Sequence, residues 1–126
     1  RQRVAIAMAL AQEPQVILLD EPTAHLDMGH RMGVLNLIER LNTTRSMTVL
    51  MTSHDVNLAA EYFPRLVLLD HGRLAADGPP EAVFRADILR AVYRCDVRVR
   101  RDADGGWMVR PARRPLQFVD TSSDDC

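Results

Sequence analysis

No lysine occurs in this chain; all 16 basic side chains are arginine. That absence excludes the glycine-rich phosphate loop G-x-x-x-x-G-K-[ST] from anywhere in the 126 residues, because its lysine is what reaches the β- and γ-phosphates. Cysteine is scarce. Cys95 and Cys126 lie far apart in no ligand spacing, which excludes a disulfide framework and a thiolate metal site and fits incidental thiols in a reducing compartment. Long apolar runs are missing: the longest, residues 4–11, is too short to cross a bilayer. No signal-peptide pattern is present. The net charge of -1 provides no overall basic field of the kind that gathers nucleic acid. Aromatic residues make up 5%, and Trp107 is the one stacking group near the arginines at 94–101, 110, 113 and 114. Asp96, Asp102, Asp104 and an acidic tail offset that cluster, so it reads as a solvated charged face and no nucleic-acid partner is expected.

What is present is the profile of a soluble globular protein, 47% hydrophobic and 26% charged, long enough for one domain with a modest core. The chain opens on Arg1, without Met and inside a helix-like pattern, so a piece of a longer protein is expected. "RQRVAIAMALAQEP" is rich in helix formers, and Pro14 marks a stop just beyond them. "QVILLD" reads as a strand buried on both faces of a parallel sheet. Met28, Met32, Leu35, Ile38 and Leu41 recur at helical spacing behind Asp27, which is placed to cap the helix. "MTVLMTS" is a second buried strand, and Asp55 caps a helix over residues 56–63 that Pro64 closes.

Downstream, "RLVLLDHGRLAADG" predicts a strand, a glycine turn and a return strand. "PPEAVFRADILRAVYR" predicts one or two helices entered through proline. "DVRVRRDADGGWMVRP" predicts a small terminal hairpin packed by Trp107, and "LQFVDTSSDDC" a polar tail that frays. Met28, Met32, Met47 and Met51 are expected to fill core or interface space. His25, His30 and His71 share no ligand spacing and are expected in loops or solvent, with His30 and Arg31 on a helix face open to a neighbouring subunit. Strands alternating with helices imply an α/β fold with parallel pairing.

In an open parallel sheet, ligands collect beyond the carboxyl ends of the strands. Asp20 and Glu21 end the first strand, and Ser53 and His54 end the second. Convergence of these groups suits nucleoside-triphosphate hydrolysis, with one carboxylate for a metal, one for the attacking water and a histidine for the γ-phosphate. Each element alone has a plainer reading. An apolar run ending in Asp-Glu also describes a strand entering a turn, and Ser-His-Asp also describes a capped helix start. Three adjacent residues cannot form a hydrolase relay, so a serine triad is excluded.

Taken jointly, these stretches resemble the C-terminal half of an ABC transporter ATP-binding subunit. "VILLDE" resembles the family's Walker B strand with its catalytic glutamate, "AHLD" its D-loop and "TSHD" its histidine switch. "RQRVAIAMALAQEP" is similar to the helix after the signature sequence. The similarity runs on through "HDVNLAAEYFPRLVLLDHGRLAADGPPEAVF" and "LRAVYRCDVRV", to about residue 99, and resembles the importer branch for iron-siderophores, haem or cobalamin. The resemblance implies an incomplete P-loop NTPase fold, with residues 1–95 as the C-terminal part of the nucleotide-binding domain and 96–126 as hairpin and tail. It implies ATP and Mg2+ as cofactors. Asp20 would hold the ion through water, Glu21 would act on the attacking water, and His54 would sense the γ-phosphate. Asp27 would work across a homodimer seam. It also implies peripheral attachment at the cytoplasmic face of the membrane on permease subunits, fed indirectly by a substrate-binding protein.

The phosphate loop, glutamine loop and signature are absent from the chain. It is therefore expected to lack ATPase activity alone and, with apolar sheet edges and faces uncovered, to be poorly soluble. The alternatives are a soluble non-transport ATPase of the same family and a non-catalytic truncated remnant.

Overall fold

A computed structural model describes residues 2–112; the expected polar tail, with Cys126, lies outside the described residues. The chain divides into two compact units, residues 1–66 and 67–126. The cut expected after residue 95 falls inside the second of these, because the terminal hairpin groups with the helices that precede it.

The first unit holds α1 (Gln2–Leu10), β1 (Val16–Leu19), α2 (Met28–Arg45), β2 (Thr48–Met51) and α3 (Val56–Tyr62). β1 and β2 pair in parallel, with Val16 opposite Thr48 and Leu19 opposite Met51, and α2 makes the crossover between them. The caps read from the sequence are in place. Asp27 accepts a hydrogen bond from the backbone N–H of His30, and Asp55 from that of Leu58. Ser46, in the left-handed region at φ 50, ends α2, and the Asn42 amide closes the turn by donating to the Met47 carbonyl at 2.8 Å.

Alternation along a strand sends successive side chains to opposite faces. Ile17 is buried with Leu41 and Met47, and Leu19 packs onto the neighbouring cluster of Ile6, Val34 and Ile38. On the other face, Val16, Leu18 and Leu50 stand 55%, 71% and 59% exposed. This corrects the expectation of a strand buried on both faces: among the described residues, helices cover one side of this two-stranded sheet and leave the other open. Met47 is core as expected, while Met28, ahead of the first buried turn of α2, is exposed.

The second unit contains β3 (Leu66–Asp70) from its second residue on, β4 (Arg73–Gly78), α4 (Pro80–Val83), α5 (Ala86–Tyr93), β5 (Val97–Arg101) and β6 (Trp107–Pro111). β3 pairs with β4 through a two-residue turn whose members, His71 and Gly72, both have positive φ, 48 and 74. β3 thus pairs with β4 in its own two-stranded sheet, and among the described residues the parallel pair is β1 and β2. β5 and β6 form the expected antiparallel hairpin. Val83, Phe84, Leu89 and Val97 are buried, and the Phe84 ring meets Trp107 edge-on at 5.7 Å. The Arg101 guanidinium lies over the Trp107 ring at 4.1 Å. The fold is α/β, built from small sheets.

Candidate functional site

The carboxyl ends of the two parallel strands carry the site. The register that sets Leu19 opposite Met51 brings Thr52 beside Asp20, and the Thr52 N–H donates to the Leu19 carbonyl at 2.9 Å. The Thr52 hydroxyl then does two things. It donates to Asp20 Oδ1 at 2.6 Å and accepts the backbone N–H of Glu21 at 2.9 Å. One hydroxyl therefore orients the first carboxylate and fixes the backbone of the second. Glu21 itself sits at φ 44, a left-handed conformation that a residue with a Cβ adopts at a cost. Its Oε1 lies 2.7 Å from His54 Nε2. With a neutral imidazole, the proton in that contact belongs on Nε2, because an ionised carboxylate can only accept.

Glu21, Thr23, Arg31, Ser53, His54 and Asp55 line a cleft of about 400 Å3. His54 is 88% exposed in its side chain and Glu21 42%, so the pair faces open space at the strand ends. Asp20 and Asp27 are not among the lining residues. Asp27 is committed to α2: it accepts the N–H of His30 at 2.9 Å, and its Oδ2 lies 2.6 Å from His30 Nδ1. The backbone N–H of His30, with its ring second, holds the Asp27 carboxyl below the usual carboxylate value. The structure thus brings Asp20, Glu21 and His54 together and leaves Asp27 apart from them, on the helix that follows.

Among the described residues no group of three or more His, Cys, Asp or Glu side chains could enclose a metal ion. The donor set present is a single exposed carboxylate, Asp20, with one oxygen held by Thr52. That suits Mg2+, which keeps most of its waters and takes one or two carboxylates with substrate phosphates. No lysine is available to grip the phosphates.

Two contributors escaped the sequence reading. Thr52 was legible only as strand end, although parallel pairing of "VILLD" with "TVLMT" would have set it beside Asp20. Arg31, expected on a helix face, donates from Nη1 to Asp55 Oδ2 at 3.2 Å, a bond the sequence reading did not foresee. His25, His30 and His71 are exposed as expected.

Among solved structures, a metal-chelate type ABC transporter in an inward-facing conformation matches 90% of this chain and 46% of its own at TM-score 0.77 and 27% identity. A dimeric ATP-binding cassette in a post-hydrolysis state, bound to ADP and Pi, matches 62% of this chain and 33% of its own at TM-score 0.58 and 37% identity. No family model matches. Over most of its own length the chain is similar to ABC-type ATP-binding proteins, and the matching part holds the stretches that resemble the Walker B strand, D-loop and histidine switch. Within that class its relatives are importer subunits. It is 44% identical over 102 residues to a probable siderophore transport system ATP-binding protein of Bacillus subtilis, covering 81% of this chain and 37% of that protein. It is 45% identical over 113 residues to a hemin import ATP-binding protein of Nocardia farcinica, covering 88% and 38%. The chain thus spans under two-fifths of the length of these relatives.

Proposed function

We propose that this chain supplies the metal-and-water side of an ATP-hydrolysing site in an ABC importer for iron-siderophores, haem or a similar chelate. The observation that carries this is the arrangement at the strand ends, where one threonine hydroxyl holds Asp20 and the Glu21 backbone while Glu21 meets His54 at 2.7 Å. In this reading Asp20 holds Mg2+ through its waters, and the ion, when bound, neutralises charge on the phosphates. Glu21 orients the attacking water and takes its proton. His54, just beyond β2, holds the Glu21 carboxylate through its Nε2–H and turns that same N–H toward the γ-phosphate when nucleotide is bound. Asp27 serves a seam with a second copy.

The phosphate grip must come from sequence outside these 126 residues, so hydrolysis is a property of a completed cassette. No helix among the described residues is long and apolar enough to cross a membrane. Attachment to the membrane is accordingly assigned to permease subunits, with a substrate-binding protein upstream. The names of the relatives, all import or transport subunits, favour this over a non-transport ATPase.

The test is a chimera in which residues 2–112 replace the matching segment of the Bacillus subtilis relative, whose own sequence supplies the rest. Mg2+-dependent ATP hydrolysis that is lost in Glu21→Gln is expected. A folded chimera without hydrolysis overturns the reading.

A further inference from the structure

The geometry points to Arg31 as a positioning residue for His54, acting through Asp55; the inference rests on the proposed hydrolytic role of this site. His54 has little to hold it. Its side chain is 88% exposed, and its one polar partner among the described residues is Glu21. The placement of its ring therefore depends on the backbone of residues 53–55.

Besides its carbonyl, which accepts the Ala59 N–H at 3.0 Å, three hydrogen bonds involving side chains tie that backbone down at Asp55. The Asp55 N–H donates to Ser53 Oγ at 3.1 Å, its Oδ1 accepts the Leu58 N–H at 3.0 Å as the cap of α3, and its Oδ2 accepts from Arg31 Nη1 at 3.2 Å. The first two bonds are local. Only the third reaches another element.

Arg31 is well rooted for this task. It lies in the first turn of α2, where its N–H donates to the Asp27 carbonyl at 2.9 Å, and the following turn buries Val34 and Leu35 at 2% and 1%. Its Nε is buried and has no hydrogen-bond partner among the described residues, so that edge of the guanidinium is not drawn toward another acceptor. Both side chains are part-buried, at 31% and 41% exposure, which lessens the solvent screening that weakens fully exposed pairs. One turn of α2 thus carries the Asp27 cap at its start and the tether of the His54 loop at its end.

The two ends of the tether can be separated from the fold. Arg31→Gln leaves Asp55 capping α3. Asp55→Asn keeps a good capping acceptor and loses only the charge. In the 126-residue chain, Arg31→Gln should speed amide hydrogen exchange at Asp55 by about tenfold, the factor expected for losing one charge-assisted hydrogen bond, while Leu58 keeps its protection. Arg31→Lys should recover most of it. Unchanged exchange at Asp55 in Arg31→Gln overturns the tether.

In the chimera, Arg31→Gln and Asp55→Asn should each lower kcat with KM for ATP unchanged, and the double variant should fall no further than the worse single one. Additive losses, or a loss of thermal stability with kcat intact, overturn the positioning role. A chimera that fails to hydrolyse ATP with Arg31 in place instead overturns the hydrolytic reading, and the exchange measurement still decides the tether.

Discussion

Glu21 Oε1 lies 2.7 Å from His54 Nε2, across the ends of two parallel strands, while the Glu21 backbone sits at φ 44. The left-handed backbone turns the carboxylate out of the strand direction and toward the histidine. Side-chain chemistry and backbone strain are therefore concentrated at one residue, as is common where a site demands a particular orientation. In the chimera, Glu21→Gln should lower ATP turnover by about 10²–10⁴-fold, the range for losing a general base. Glu21→Gly should abolish turnover and yet raise stability by about 1 kcal/mol, since glycine adopts positive φ without the Cβ clash. Turnover kinetics and urea unfolding of the same proteins check both. The 126-residue chain alone should show no turnover; activity lost in Glu21→Gln would contradict this.

Thr52 joins the Asp20 carboxylate to the Glu21 backbone N–H through one hydroxyl. Thr52→Val keeps the shape and removes both bonds, so stability should fall by about 1 kcal/mol, a modest loss because the site is open to water. The Mg2+ concentration needed for half-maximal hydrolysis in the chimera should rise, because Asp20 loses the donor that orients it. Unchanged Mg2+ dependence would show that Asp20 is oriented by other means.

Asp27 has a folded-state pKa below its ordinary value, chiefly through the backbone N–H of His30. A carboxylate depressed on folding stabilises the protein above its unfolded value, near 4, and loses that contribution as pH falls through the lower folded value. Urea midpoints should therefore decline below about pH 4. Asp27→Asn, which keeps a capping oxygen without a titrating group, should flatten that decline. An identical acid limb in both proteins would remove Asp27 from the account.

The uncovered face of β1 and β2 carries Val16, Leu18 and Leu50. Leu18→Thr with Leu50→Thr should reduce self-association of the isolated chain, read by sedimentation velocity, with little change in unfolding free energy. Ile17→Ala, on the covered face at 5% exposure, should cost about 3 kcal/mol. Self-association undiminished by the double substitution would place the sticky surface elsewhere.

Trp107 is the single tryptophan, so its fluorescence reports the second unit. Phe84→Leu removes the edge-on ring contact at 5.7 Å and should lower the stability read at Trp107 by about 1 kcal/mol. A fluorescence-detected transition unmoved by Phe84→Leu would show that the contact carries no stability.

Much of this molecule is local in origin and was legible as such. Asp27 and Asp55 cap because their oxygens meet N–H groups three residues on, the His71-Gly72 turn needs two positive φ angles, and the β5–β6 strands alternate across a glycine-rich turn. The order of "VILLDE", "AHLD" and "TSHD" likewise pointed to the site and to the family. The exposure of Leu18 and Leu50 was not legible from the strands themselves, because an apolar run carries no mark of whether one or two layers cover it. Nor was the double use of Thr52, which depends on parallel register, or the bond from Arg31 to Asp55, which spans 24 residues of sequence. The sequence by itself determined which groups stand at the strand ends, since caps, turns and strand periodicity are set by neighbours along the chain. Only the tertiary structure decided which of those groups touch, because hydrogen bonds between β1, β2, α2 and α3 depend on register and packing that no single segment encodes.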